Sequence, residues 1–190
     1  MGLQFKSVDT VPAERQVKIA TIEGYASIFG EPDLNGDVVT RGAFSRSLAK
    51  TPPEKVRMLY QHAAETPLGR WLYLEEDEIG LYAIGELFLE STKAQDAYTM
   101  ISGGALDGFS IGYRVIESHH LQKGGRKITR ADLWEISVVT FPMAPRARIT
   151  RVSQPVTANR SLIVNQSETM RAFAGAVRGA AAILSVQGVE

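Results

Sequence analysis

A chain of 190 residues with 44% hydrophobic content is long enough to bury one sizeable core, and it carries 21 basic against 21 acidic residues. That balance supplies no basic surface for nucleic acid or an anionic membrane. Cysteine is absent, which excludes disulfides, thiolate metal sites and a cysteine nucleophile and fits a reducing compartment, so any covalent nucleophile must be Ser, Thr or another type.

The first residues, Met1 to Lys6, lack a signal-peptide core, Lys6 breaks the myristoylation pattern, and no apolar run reaches bilayer-spanning length. A soluble, cytoplasmic protein is expected. Residues 1–16 are unpatterned and read as a loose N-terminal arm. The segment from Gln16 to Phe29 is rich in β-branched and aromatic residues and is interrupted by Gly24, which predicts one bent strand or two short ones. Asp33-Leu34-Asn35-Gly36-Asp37 is a turn signal, because Asn and Gly tolerate positive φ. Part of a calcium loop is present there, but the downstream Glu is not at its spacing, so a polar turn is preferred. Thr40 is placed to cap a short helix with Phe44 and Leu48 on one face, ending before Pro52-Pro53.

Val56 to Tyr60 reads as a buried strand with His62 just past its end, where the strand fixes the backbone and the loop leaves the ring accessible. A surface or capping histidine is the competing reading. His119 and His120 adjoin Lys123-Gly124-Gly125-Arg126, the composition of an exposed hairpin tip, and as strand neighbours they face opposite ways and chelate zinc poorly. Two strands, Gly69–Leu74 and Gly80–Phe88, are expected around the acidic run Glu75-Glu76-Asp77-Glu78, read as a solvated hairpin tip. Ser91 or Thr92 opens a helix, Thr92 with Gln95 forming a capping-box pattern, with Ala94, Ala97, Tyr98 and Ile101 on its buried stripe and Gly103-Gly104 at its end.

Asp107-Gly108-Phe109-Ser110-Ile111-Gly112-Tyr113 is the stretch around which the chemistry gathers. Strand alternation sends Phe109 and Ile111 to one face and an exposed Ser110 hydroxyl, with Gly112, to the other, where the glycine admits the close approach of a substrate backbone. The return strand, Leu133 to Phe141, places Trp134, Ile136 and Val138 on one face and Glu135, Ser137 and Val139 on the other. An acid in so apolar a strand needs a partner. A structural ion pair with an Arg is one option. The other is that Glu135 accepts a hydrogen bond from His62 and so orients it as the base for Ser110.

Gly24-Tyr25-Ala26-Ser27-Ile28-Phe29, Asp33, Gly36-Asp37-Val38-Val39, Gly42-Ala43-Phe44, the strand into His62, Gly108 to Tyr113, and Trp134 to Val139 through Pro142 and Ala144-Pro145 resemble, in order, the prohead maturation proteases of tailed bacteriophages. The resemblance covers about residues 17–150. It implies an α+β fold similar to the herpesvirus assemblins: a small, mostly antiparallel β-barrel surrounded by helices. It also implies a serine endopeptidase with Ser110 as nucleophile and His62 as base. Glu135 stands where the herpesvirus relatives have a second His, and either group can accept the base's N–H. Arg146 and Arg148, together with Gly112, are the implied oxyanion or substrate residues. The implied partners are the major capsid protein with its scaffolding segment and the protease itself. No metal or organic cofactor is implied, and the expected location is the host cytoplasm within the assembling prohead.

Residues 151–166 read as a linker. Residues 167–190 read as an amphipathic helix carrying Met170, Phe173, Ala174, Val177, Ala181 and Leu184, suited to the barrel, to a second subunit, or to a removable targeting tail. Two other function classes fit parts of the pattern. One is a non-catalytic scaffold or binding module on the same barrel. The other is a small-ester serine hydrolase: Gly108-x-Ser110-x-Gly112 matches its nucleophile elbow, although the segment continues as a strand through Tyr113-Arg114-Val115.

Overall fold

A computed structural model describes residues 16–122 and 124–159 of the chain. In chain order they form β1 (Gln16–Ile28), β2 (Val38–Val39), α1 (Ser45–Lys50), a 3₁₀ turn (Pro53–Lys55), β3 (Arg57–Tyr60), β4 (Ala63–Glu76), β5 (Gly80–Phe88), α2 (Thr92–Ser102), β6 (Gly108–His120), β7 (Arg126–Val139), β8 (Ile149–Val152) and β9 (Val156–Asn159). Strand dominates and helices are few. All nine strands belong to one sheet, ordered β2-β7-β3-β4-β5-β1-β8, with β6 paired to β7 and β9 to β1. The paired ladders run as an open path from β2 to β8. An isolated bridge between Gly108 and Arg148 brings the start of β6 beside the approach to β8.

The apolar face of this sheet buries Ile22, Phe44, Met58, Leu68, Trp71, Leu87, Phe109, Ile136 and Val138. Trp71 and Phe109 meet edge to face at 5.5 Å, which ties β4 to β6 through the core. Helix α2 buries Ala94, Ala97 and Ile101 of the predicted stripe, with Tyr98 partly buried against the core, and ends at Gly103. Its N-cap is Ser91, with no side-chain cap bond, so the Thr92 to Gln95 capping box does not form.

Several local expectations change for identifiable reasons. β1 keeps the first of its two expected forms, one continuous strand with register shifts on both edges. Gly24 lies where a Cβ would strike the Arg148 carbonyl, so close backbone approach is what requires glycine there. Thr40 does not cap α1: its hydroxyl donates to the Ile128 carbonyl at 3.1 Å. The cap comes from the acidic run, because Glu76 accepts from the Phe44 N–H at 2.9 Å and the Ser45 hydroxyl at 2.5 Å. The expected hairpin tip forms between β4 and β5 with Glu75 and Glu78 exposed, and within it Asp77 accepts from the Ile79 and Gly80 N–H groups. Residues 151–159 are not linker: β8 and β9 both pair antiparallel with β1. The proposed arm (except Gln16), residues 160–166 and the C-terminal helix lie outside the described residues.

The Asp33–Asp37 turn forms as expected. Asp33 Oδ1 accepts from the N–H groups of Asn35 and Asp37, and Gly36 has φ +81°. Asp37 then reaches across to Arg126 at the start of β7 with three guanidinium contacts and a backbone bond of 2.8 Å. This pair pins the β6–β7 hairpin to the turn, and the guanidinium's hydrogen bonds hold the Asp37 carboxyl below its ordinary range.

Candidate active site

Strand β7 pairs along one edge with β6, antiparallel, and along the other with β2 and β3, parallel. Three neighbouring strands therefore carry the three predicted groups. Ser110 lies on β6 opposite Ser137 of β7, Glu135 lies two residues earlier on β7, and His62 follows the end of β3. Ser110 and His62 line the same cleft of about 420 Å³, together with Ile111, Tyr113, Phe141 and Met143. Ser110 is only 5% exposed, not the exposed hydroxyl that alternation suggested. Its neighbour Phe109 is fully buried and anchors the strand below it.

His62 sits on a tight turn. Tyr60 pairs with Ala63, leaving Gln61 and His62 as a two-residue connection with φ of +53° and +60°. Both central residues at positive φ is the geometry of a type I′ hairpin, normally given to Asn and Gly, and it costs on the order of 1 kcal/mol for each ordinary side chain. The cost is offset by bonds to the end of β7. The Gln61 N–H donates to the Val138 carbonyl at 3.0 Å, and the Gln61 amide both donates to Thr140 Oγ1 at 2.7 Å and accepts from the Thr140 N–H at 3.3 Å. The His62 N–H donates to Ser137 Oγ at 3.1 Å.

From this turn His62 Nδ1 donates to Glu135 Oε1 at 2.6 Å, the direction a carboxylate acceptor requires. The other oxygen, Oε2, accepts from the Ser137 hydroxyl at 2.7 Å. Glu135 thus has His62 as its partner, with a side chain 14% exposed against 46% for the imidazole. Gly112 is opposite Glu135 in the ladder, and a Cβ at that position would run into the carboxylate. The glycine makes room for the acid. A register shift between Gly112 and Tyr113 skips Trp134, which leaves that ring 59% exposed instead of in the core with Ile136 and Val138.

Arg146 and Arg148 lie apart from the cleft lining. Arg146 is ion-paired with Glu31, and Arg148 bonds Asp107 Oδ1 at 2.6 Å and the Pro145 carbonyl at 2.9 Å. His119 and His120 are exposed at the far end of β6, across from Lys127 and Arg126. Among the described residues, no group of three or more His, Cys, Asp or Glu side chains is placed to hold a metal ion. Sequence reasoning missed Ser137, Gln61 and Thr140 as parts of this arrangement. For Ser137 a signal existed, since alternation already put it on the Glu135 face.

The family model described as caudovirus prohead serine protease matches residues 6–161. The chain belongs to this family. Among curated caudovirus prohead proteases, that of Enterobacteria phage HK97 is 38% identical over 135 residues, covering 70% of this chain and 60% of the relative. That of Escherichia phage T5 is 31% identical over 141 residues, covering 72% and 63%. The chain therefore spans somewhat under two thirds of the length of each of these relatives. Among solved structures it is similar to KSHV protease in complex with a hexapeptide phosphonate inhibitor, at 10% identity and TM-score 0.43 over 80% of this chain and 77% of that one. It is also similar to varicella-zoster virus protease, at 12% identity and TM-score 0.46 over 71% and 64%. Among the described residues, no helix is long and apolar enough to cross a membrane.

Proposed function

We propose that the chain is a serine endopeptidase of prohead maturation in which Ser110 is the nucleophile, His62 the general base and Glu135 the group that orients it. The observation that carries this reading is the 2.6 Å bond from His62 Nδ1 to Glu135, made at the edge of the cleft that Ser110 also lines. With Nδ1 committed as donor, Nε2 is the basic nitrogen. Nε2 takes the Ser110 proton as Oγ attacks the peptide carbonyl, then returns it to the departing amine, leaving an acyl-enzyme that water cleaves by the same route. The carboxylate stabilises the imidazolium formed in between.

For the oxyanion, the segment around Arg146 and Arg148 is the family-implied candidate. The Ala147 carbonyl accepts the Phe109 N–H at 2.9 Å, which holds this segment beside the nucleophile strand. Both guanidiniums are engaged in ion pairs, so main-chain N–H donors suit the role better than the charged heads. The same contacts support a barrel: the Gly108 to Arg148 bridge and the 2.7 Å bond from the Ile149 N–H to the Asp107 carbonyl bring β6, which borders β7, beside β8 at the far end of the strand path.

The substrates in this reading are the capsid protein's scaffolding segment and the chain itself, within the assembling prohead. Intact mass spectrometry of the wild-type chain and of Ser110→Ala, each alone and mixed with its capsid protein, tests it. Defined cleavage products are expected from the wild type and none from the mutant. Products of unchanged mass from Ser110→Ala would overturn the assignment.

A further inference from the structure

We infer that Ser137 is a positioning residue for the base: its hydroxyl ties the main chain of His62 to the carboxylate that holds the His62 ring. This rests on the reading of Ser110, His62 and Glu135 given above. Ser137 is fully buried on β7, directly across from Ser110. A serine hydroxyl has one proton to give. Here the proton goes to Glu135 Oε2 at 2.7 Å, and an oxygen lone pair takes the His62 N–H at 3.1 Å. Glu135 Oε1 accepts from His62 Nδ1 at 2.6 Å. The bonds close a circuit from the His62 backbone through Ser137 and Glu135 to the His62 imidazole.

Two consequences separate this role from ordinary satisfaction of buried polar atoms. With Oε2 occupied by Ser137, only Oε1 is presented to the ring, which fixes the tautomer and the direction of Nε2. The donated bond also draws charge from the carboxylate, so its loss strengthens the hold of Glu135 on the imidazolium and changes the pH profile of the reaction. A purely structural serine would alter stability without either effect.

The test uses a fluorophosphonate, which needs no knowledge of the natural substrate: Ser110 Oγ forms a bond to phosphorus, fluoride leaves, and the proton passes to His62. Labelling rates are measured against pH for the wild type, Ser110→Ala, Ser137→Ala, Ser137→Thr and Ser47→Ala. Ser47 is a matched control, a buried serine whose oxygen accepts the Leu133 N–H at 2.9 Å, joining α1 to β7 away from the cleft. Ser137→Ala is expected to label about 10–100-fold more slowly. Its acid-limb midpoint should move to higher pH, because the freed carboxylate holds the imidazolium more tightly. Ser137→Thr, which keeps the hydroxyl, should recover most of the rate, and Ser47→Ala should keep the wild-type rate and midpoint. Should Ser137→Thr not fold, the His62 Nδ1–H proton resonance of Ser137→Ala decides, since positioning requires it to shift or broaden relative to Ser47→Ala. Wild-type rate and midpoint in Ser137→Ala, with labelling confined to Ser110, would overturn the inference alone. Labelling that persists in Ser110→Ala would overturn the underlying site and the inference with it.

Discussion

The carboxylate of Glu135 is held by two donors, and each side chain around it has a separable consequence. Glu135→Gln keeps the shape but presents an amide to Nδ1, which favours the wrong tautomer, so turnover should fall by about 10²–10⁴-fold with the fold intact. Fluorophosphonate labelling beside circular dichroism checks this. Gly112→Ala puts a methyl where the carboxylate lies and should lower the labelling rate about 10–100-fold while the urea midpoint moves only modestly. Ser110, His62 and Glu135 stood out as candidates because an unusual residue type stood in a predictable place: a hydroxyl between glycines, a His at a strand end, an acid in an apolar strand. Trp134 was misplaced, since strict alternation put it on one face with Ile136 and Val138 and a one-residue bulge takes it off that face. Ser137 was placed on the correct face, but its two partners become neighbours only once β3 lies against β7.

At the level of elements, the turn carrying His62 is the least legible part of the site. Gln61-His62 has none of the Asn-Gly chemistry that announces a type I′ connection, and the bonds that tolerate its positive φ come from Val138, Thr140 and Ser137, more than 70 positions away. Gln61→Ala removes both side-chain bonds to Thr140 while leaving a non-glycine residue at φ +53°. It should cost about 1–2 kcal/mol by denaturant titration and slow the labelling of Ser110 as the turn loosens. Helix α1 offers a parallel case, because its cap comes from β4. Glu76→Ala should cost about 1 kcal/mol and leave the labelling rate at Ser110 unchanged, which the same pair of assays measures.

For the whole molecule, the positions of the long strands along the chain were largely readable from their apolar runs, whereas β8 and β9 were taken for linker. They are four residues each, mostly exposed, and gain their identity from pairing with β1 rather than from any pattern of their own. The contact between the Asp33–Asp37 turn and Arg126 predicts an acid limit to stability. Asp37 has a lowered folded pKa, so its contribution is fully present above the ordinary aspartate value and is lost as pH falls through the lower folded value. Thermal melts from neutral pH down into that window should show a steeper loss for the wild type than for Asp37→Asn. Strand β7 has a broader bearing. It holds Glu135 itself and has the strand of Ser110 on one edge and the strand leading to His62 on the other. If this one strand frays, all three groups disperse at once, so inactivation should be an all-or-none event whose rate matches deuterium uptake at the amides of Glu135 to Val139, with no partly competent enzyme along the way.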